Sequence, residues 1–142
     1  MPDPAAPALA AVLETILYAD DLAAAEAFYR DVLGLELHSR KDGVFAFFRL
    51  GPGMLLLFRP EASLANTEIP AHGARGPGHA CFAVAEAALD AWQARLRARG
   101  VAIEHEQVWP RGGRSFYFRD PAGNSLEIAT PRIWGLPEPG RS

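Results

Sequence analysis

The 142-residue sequence predicts an α+β chain in which one strand–helix–three-strand (βαβββ) unit is used twice. Two observations predict it. Phe48-Arg49, Gly53, Leu56 and Phe58 are matched 70 positions later by Phe118-Arg119, Gly123, Leu126 and Ile128. Upstream, Glu14-Thr-Ile-Leu-Tyr-Ala-Asp-Asp21 resembles His79-Ala-Cys-Phe-Ala-Val-Ala-Glu86, 65 positions on. Both earlier segments are alternating strands that run into a helix start. Self-similarity of this kind decides the architecture before any single element does.

In the first unit, residues 12–60, Leu13 to Tyr18 reads as a strand, and Asp20 or Asp21 can cap the following helix. That helix places Leu22, Ala25, Phe28, Tyr29, Val32 and Leu33 at helical spacing and stops at Gly34. Leu35–His38, Val44–Leu50 and Met54–Arg59 are three strands around turns at Lys41-Asp-Gly43 and Gly51-Pro-Gly53. Residues 61–78 form a connecting loop rich in proline and glycine, of a length that often carries function. In the second unit, residues 79–131, His79–Val84 is a strand. Glu86–Arg99 is a helix with Ala88, Leu89, Trp92 and Leu96 inward and the arginines solvated. Val101–Glu106, Ser115–Arg119 and Ser125–Thr130 are strands, the last two joined by the turn Asp120-Pro-Ala-Gly-Asn124. Residues 1–11 are an N-terminal arm and 132–142 an extended tail with Ile133, Trp134 and Leu136 available to dock.

Composition excludes several function classes. Net charge −3 and 22% charged residues, with no run of like charges, give no nucleic-acid signature. A single cysteine excludes an internal disulfide and fits a reducing compartment. The longest apolar run, Met54–Phe58, is far too short for a membrane span, and the opening residues lack the basic region of a signal peptide. The expectation is a soluble cytoplasmic protein with neither nucleic-acid nor membrane partners.

One side chain stands out chemically. On the last strand Leu126 and Ile128 share one face, and Ser125, Glu127 and Ala129 the other. A carboxylate among apolar neighbours is costly unless donors or a cation satisfy it.

Taken together, the motifs Leu17-Tyr-Ala-Asp-Asp-Leu22, Ala27-Phe-Tyr-Arg-Asp-Val-Leu-Gly-Leu35, Gly78-His-Ala-Cys-Phe-Ala-Val84 and Phe118-Arg-Asp-Pro-Ala-Gly-Asn-Ser-Leu-Glu127 resemble the vicinal oxygen chelate superfamily. That group spans glyoxalase I, extradiol dioxygenases, fosfomycin-resistance transferases and bleomycin-resistance binding proteins. The resemblance covers residues 12–131 and implies an incomplete barrel whose central hollow holds a divalent metal. It implies ligands from the first and last strand of each unit: Glu14, His79 and Glu127. The fourth position falls on Leu57 by the 70-residue offset, which counts against glyoxalase I. Glu14 stands where dioxygenases and fosfomycin transferases usually carry histidine. The strand alternation agrees, since Glu14, Ile16 and Tyr18 share a face, as do His79, Cys81 and Ala83.

One imidazole and two carboxylates suit Mn, Fe, Co, Ni or Zn. With open coordination positions such an ion would chelate two adjacent oxygens of a small oxygen-rich substrate and stabilise an enolate or alkoxide. Isomerase, lyase and dioxygenase chemistry all remain open. The alternative is a metal-free protein that sequesters a small molecule, as bleomycin-resistance proteins do; two buried carboxylates favour the enzyme.

Among other residues, Glu127 and Tyr117 are catalytic candidates, Tyr117 being either a donor in the hollow or a ring at its rim. Arg114, ahead of Arg111, is a candidate partner for an anionic substrate group. His72 is a lid residue or a surface histidine. His105 points away from Glu104 and Glu106 and reads as a non-ligand, and Cys81 as a lining residue. Open sheet edges and the apolar tail predict a homodimer.

Overall fold

The structure, a computed structural model, describes residues 6–139. The first unit contributes β1 (Glu14–Tyr18), α1 (Leu22–Ala27), β2 (Glu36–Lys41), β3 (Phe45–Leu50) and β4 (Gly53–Phe58). The second contributes β5 (His79–Ala83), β6 (His105–Val108), β7 (Arg114–Arg119) and β8 (Ser125–Ala129). A short α2 (Pro60–Leu64) opens the connecting segment, and α3 (Leu89–Ala98) covers the second sheet. The strands form two four-stranded sheets, ordered β1-β4-β3-β2 and β5-β8-β7-β6. This is the α+β repeat that the sequence predicts, with sheets that are not closed into a barrel.

Each sheet is amphipathic because its strands alternate. In the first, Leu17, Ala46, Phe48, Leu55 and Leu57 are buried on the helix side; in the second, Phe116, Phe118, Leu126 and Ile128 do the same. All belong to one core with Tyr29, Leu89 and Leu96. The Asp21 side chain accepts from the Ala24 amide and caps α1, as the sequence leads one to expect. Beyond Ala27 the helix widens into a π turn (Phe28–Val32).

The two units meet through α1 and the β7–β8 turn. The Phe28 and Phe118 rings lie 6.4 Å apart, and the buried Tyr29 hydroxyl donates to Asp120 Oδ2 at 2.7 Å. Burial, then the Asp120 charge and hydrogen bond, hold the Tyr29 phenol far above its usual range. Asp120 Oδ1 accepts from the Ala122 and Asn124 amides. Asn124 donates to Asp120 Oδ2 and to the Tyr18 carbonyl and accepts from the Gly78 amide at 2.8 Å. The turn ties β1, β5 and β8 together immediately beside His79.

Three local expectations are corrected. The connecting segment starts as a helix because Pro60, with its fixed φ, sits at a first helical position where no amide is needed. Residues 101–104 form no strand: the ladder with β7 starts at His105, preceded by a single bond from the Glu104 amide to the Tyr117 carbonyl at 2.7 Å. The tail is not extended: Pro131–Trp134 makes a 3₁₀ turn, and Glu138 accepts from the Thr130 hydroxyl and the Glu86 amide. Trp134 and Leu136 nevertheless stay 78% and 60% exposed. Residues 1–5 of the expected arm and 140–142 of the tail lie outside the described residues.

Candidate functional site: the inner face of the second sheet

The face of the second sheet opposite the core carries polar residues in rows fixed by strand pairing. Cys81 pairs with Glu127, Glu127 with Tyr117 and Tyr117 with His105, so these four cross the sheet side by side. In the next row His79 pairs with Ser125, and Ser125 with Arg119.

His79 Nδ1 lies 2.8 Å from the Ser125 carbonyl oxygen. A carbonyl only accepts, so Nδ1 carries a proton, and Nε2 is the ring nitrogen that faces Glu127, 3.4 Å from Oε1. Glu127 is 5% exposed, and its Oε2 has no hydrogen-bond partner among the described residues. An imidazole nitrogen facing a buried carboxylate is satisfied by a proton or a cation shared between them.

The neighbours feel this carboxylate. Desolvation, then the Glu127 charge, pushes the Cys81 thiol up to about 12. Although Cys81 is exposed as a residue, its thiol, so raised, is a poor nucleophile. Desolvation and the same charge raise Tyr117, so it remains a phenol able to donate. Its ring lies 6.2 Å from that of His79 and 5.8 Å from that of His105. Neither Cys81 nor Tyr117 makes a hydrogen bond of ordinary geometry to Glu127.

Of the predicted site residues, His79, Glu127 and Tyr117 are brought together, with Cys81 lining the same face. Glu14 begins β1, pairs with Met54 and is exposed on the other sheet. Among the described residues no group of three His, Cys, Asp or Glu side chains is placed to hold a metal. Within one chain the donor set is thus two of the three predicted ligands. The pair fits a divalent ion as half of a site: a histidine oriented by a backbone carbonyl and a carboxylate oxygen without a protein partner.

Arg114 is corrected. It alternates with Phe116 and Phe118 on the core side and pairs with Asp90 at the start of α3, so it does not face the hollow. Leu57 is corrected too. It is fully buried in the core, and the residue equivalent to Glu127 is Leu56, paired with Ile16 and Phe47 as Glu127 is with Cys81 and Tyr117. Sequence reasoning missed that His105 lies on the inner face. Its signal was cross-strand: His105 sits opposite Tyr117. Arg111 is an exposed loop residue, and His72 reaches back to the first sheet, where Nδ1 lies 2.6 Å from the Tyr18 hydroxyl.

Two sheets built from a repeated βαβββ unit define the fold class, and the comparisons supply the family. A sequence model of the Glyoxalase/Bleomycin resistance protein/Dioxygenase superfamily matches residues 11–128, and the chain belongs to this superfamily. A solved structure described as lactoylglutathione lyase from Agrobacterium tumefaciens is 51% identical, with 90% of this chain and 98% of that one covered and a TM-score of 0.86. A glyoxalase/bleomycin resistance protein/dioxygenase from Nocardioides is 26% identical over 97% of this chain and 93% of that one, at TM-score 0.72. The structure of oxidase ChaP-H2 is 30% identical over 85% of this chain and 93% of that one, at TM-score 0.61. None of the curated proteins compared with the chain matches it. Among the described residues no helix is long and apolar enough to cross a membrane.

Proposed function

We propose that the protein is a glyoxalase-type enzyme that binds a small substrate through two adjacent oxygens at a divalent metal held by His79 and Glu127. The observation that carries this reading is His79 Nε2 set 3.4 Å from a buried carboxylate with one oxygen unpartnered. The 51% identity to a lactoylglutathione lyase structure supports lyase chemistry over ring cleavage. Glu14 is the third donor in this reading and comes from a second copy of the chain, which makes the protein a homodimer. Exposure of Glu14 and His79 in the single chain, and of apolar Val12 and Leu13 beside Glu14, supports that assembly.

The metal, when bound, supplies Lewis-acid stabilisation of negative charge developing on the substrate oxygens. The chain's own residues supply the rest. Ser125 holds the His79 tautomer, and Glu127 Oε2 is the oxygen able to receive a proton from substrate. Tyr117, kept protonated, donates a hydrogen bond to a substrate oxygen beside it. Isothermal titration of chelator-treated protein with Co²⁺ is the test. One ion per chain is expected, with Glu127→Gln weakening binding by more than the roughly 10- to 100-fold that loss of an outer partner costs. Equal binding by both proteins removes the site.

The second reading is metal-free sequestration of a small molecule. It is favoured by the absence of a three-donor group among the described residues and by the aromatic inner face of the first sheet. Absence of Co²⁺ binding together with retained ligand binding would select it.

A further inference from the structure

Beyond Glu127, the next row of the second sheet is closed by one side chain, Trp109. Ser115 pairs with Ala129 on one side and with Gln107 on the other, and alternation turns all three away from the core. Ser115 and Ala129 are nevertheless only 2% and 3% exposed. Trp109 continues the alternation of His105 and Gln107 past the end of β6. Its Nε1 donates to the Ser115 hydroxyl oxygen at 2.9 Å, so the half-buried indole lies across the end of the row.

The loop behind the indole holds it in place. The Trp109 amide donates to the Gly113 carbonyl and the Gly112 amide to the Trp109 carbonyl, both at 3.0 Å. Gly112 and Gly113 are left-handed, with φ of 107° and 83°, and both are tightly packed. A Cβ on Gly112 would stand 2.8 Å from the Arg132 guanidinium, and one on Gly113 2.9 Å from the Thr130 methyl. A loop tied on both sides carries a wall, not a lid. The single polar hydrogen of the indole is already donated to Ser115, so the ring offers the hollow only carbon.

We propose that Trp109 is a specificity-determining residue, a fixed apolar wall that limits the substrate to molecules whose group beyond the two adjacent oxygens is short and apolar. Along β8, Ala129 lies two residues past Glu127, about 7 Å, and Ser115 lies as far past Tyr117 on β7. A short alkyl group occupies that interval, and a long chain runs into the ring. In an apolar pocket of fixed size, one methylene too many costs roughly 10- to 200-fold. The inference rests on the glyoxalase-type reading, which makes His79 and Glu127 the anchor from which the group extends.

The test is calorimetric titration of Co²⁺-loaded protein with acetohydroxamate and octanohydroxamate, which present the same two adjacent oxygens and differ only in chain length. Wild type is expected to bind octanohydroxamate at least about tenfold more weakly than acetohydroxamate. Trp109→Ala and the milder Trp109→Leu should erase that preference while binding acetohydroxamate as wild type does, which also shows that they are folded. Trp109→Phe, which keeps a ring and loses the N–H, should retain most of the preference. Trp134→Ala, which removes the exposed indole of the tail, should retain all of it. The proposal is overturned if wild type is indifferent to chain length, or if the preference survives in both Trp109→Ala and Trp109→Leu. Loss of acetohydroxamate binding in both variants would make Trp109 a structural residue and overturn it as well, as would Co²⁺-loaded wild type that binds neither hydroxamate. Failure of wild type to take up Co²⁺ would instead remove the metal pair, and the wall with it. The two failures are distinguishable because chain length is compared only on protein that carries Co²⁺.

Discussion

The two inner faces share one strand order and differ in chemistry. Where the second sheet sets Cys81, Glu127, Tyr117 and His105 in a row, the first sets Ile16, Leu56 and Phe47. The backbone is repeated and the surface is not. A duplicated unit can keep its core, since Leu55 and Leu57 match Leu126 and Ile128 in burial and pairing, while its solvent-side positions diverge. Helix-side residues are held by the shared core; inner-face residues, even buried ones such as Leu56 and Glu127, take up aromatic contacts on one sheet and electrostatics on the other.

The largest effect that sharpens this comparison comes from two adjacent leucines. Leu57→Glu places a carboxylate in the fully buried core and should cost at least ~3–5 kcal/mol, the scale of an uncompensated buried charge. Leu56→Glu puts the same group on the inner face, at the place Glu127 occupies in the other sheet; Leu56 is also buried but lies outside the core cluster, so the cost should be smaller. Urea unfolding of the two variants checks it; equal destabilisation would break the assignment of faces. Next in size is the turn joining the units. Asn124→Ala strips partners from buried Asp120, the Gly78 amide and the Tyr18 carbonyl, and is expected to cost ~2–4 kcal/mol. The corresponding turn of the first sheet, exposed at Gly51 and Pro52, should tolerate Pro52→Ala within ~0.5 kcal/mol.

A smaller effect separates the electrostatics. The Cys81 thiol, raised to about 12, is almost wholly protonated at pH 8.5, so alkylation there should be slower than for a free thiol of ordinary value near 8.5. Its rate should keep rising with pH well beyond the point where a free thiol levels off. Glu127→Gln removes the neighbouring charge and should speed the reaction at pH 8.5. An unchanged rate in that variant would show that Glu127 does not act on Cys81.

Much of this was legible in the sequence. The repeat is legible in the 65- and 70-residue offsets, the helix in its helical spacing, and the face shared by His79 and Cys81 in period-two alternation; the pairing of His79 with Glu127 was implied by the family resemblance. The pairing register is not legible there. Counting 70 residues from Leu57 to Glu127 assumes equal turns, yet Leu50 pairs with Gly53 around two residues and Arg119 with Ser125 around five. Relative to the matched arginines the second turn is one residue longer, because Asp120 and Asn124 build a hydrogen-bonded loop. One residue of slip exchanges faces, so Leu57 moved from the hollow to the core. Arg114 had a legible signal, since an odd spacing from Tyr117 puts it on the opposite side. His105 had none locally, because only its partner across the β6–β7 ladder sets its direction.

The central claim is that the chemistry lies on the second inner face, at His79 and Glu127. Mn²⁺, added in small substoichiometric amounts to ¹⁵N-labelled, chelator-treated protein, tests it through paramagnetic broadening of amide resonances. The account predicts that residues 79–81, 117 and 125–127 broaden first, together with Glu14 and its neighbours if a second copy supplies the third donor, and that Glu127→Gln abolishes the pattern. Broadening confined to other acidic surface groups such as Glu104 and Glu106, or unchanged in Glu127→Gln, would contradict it.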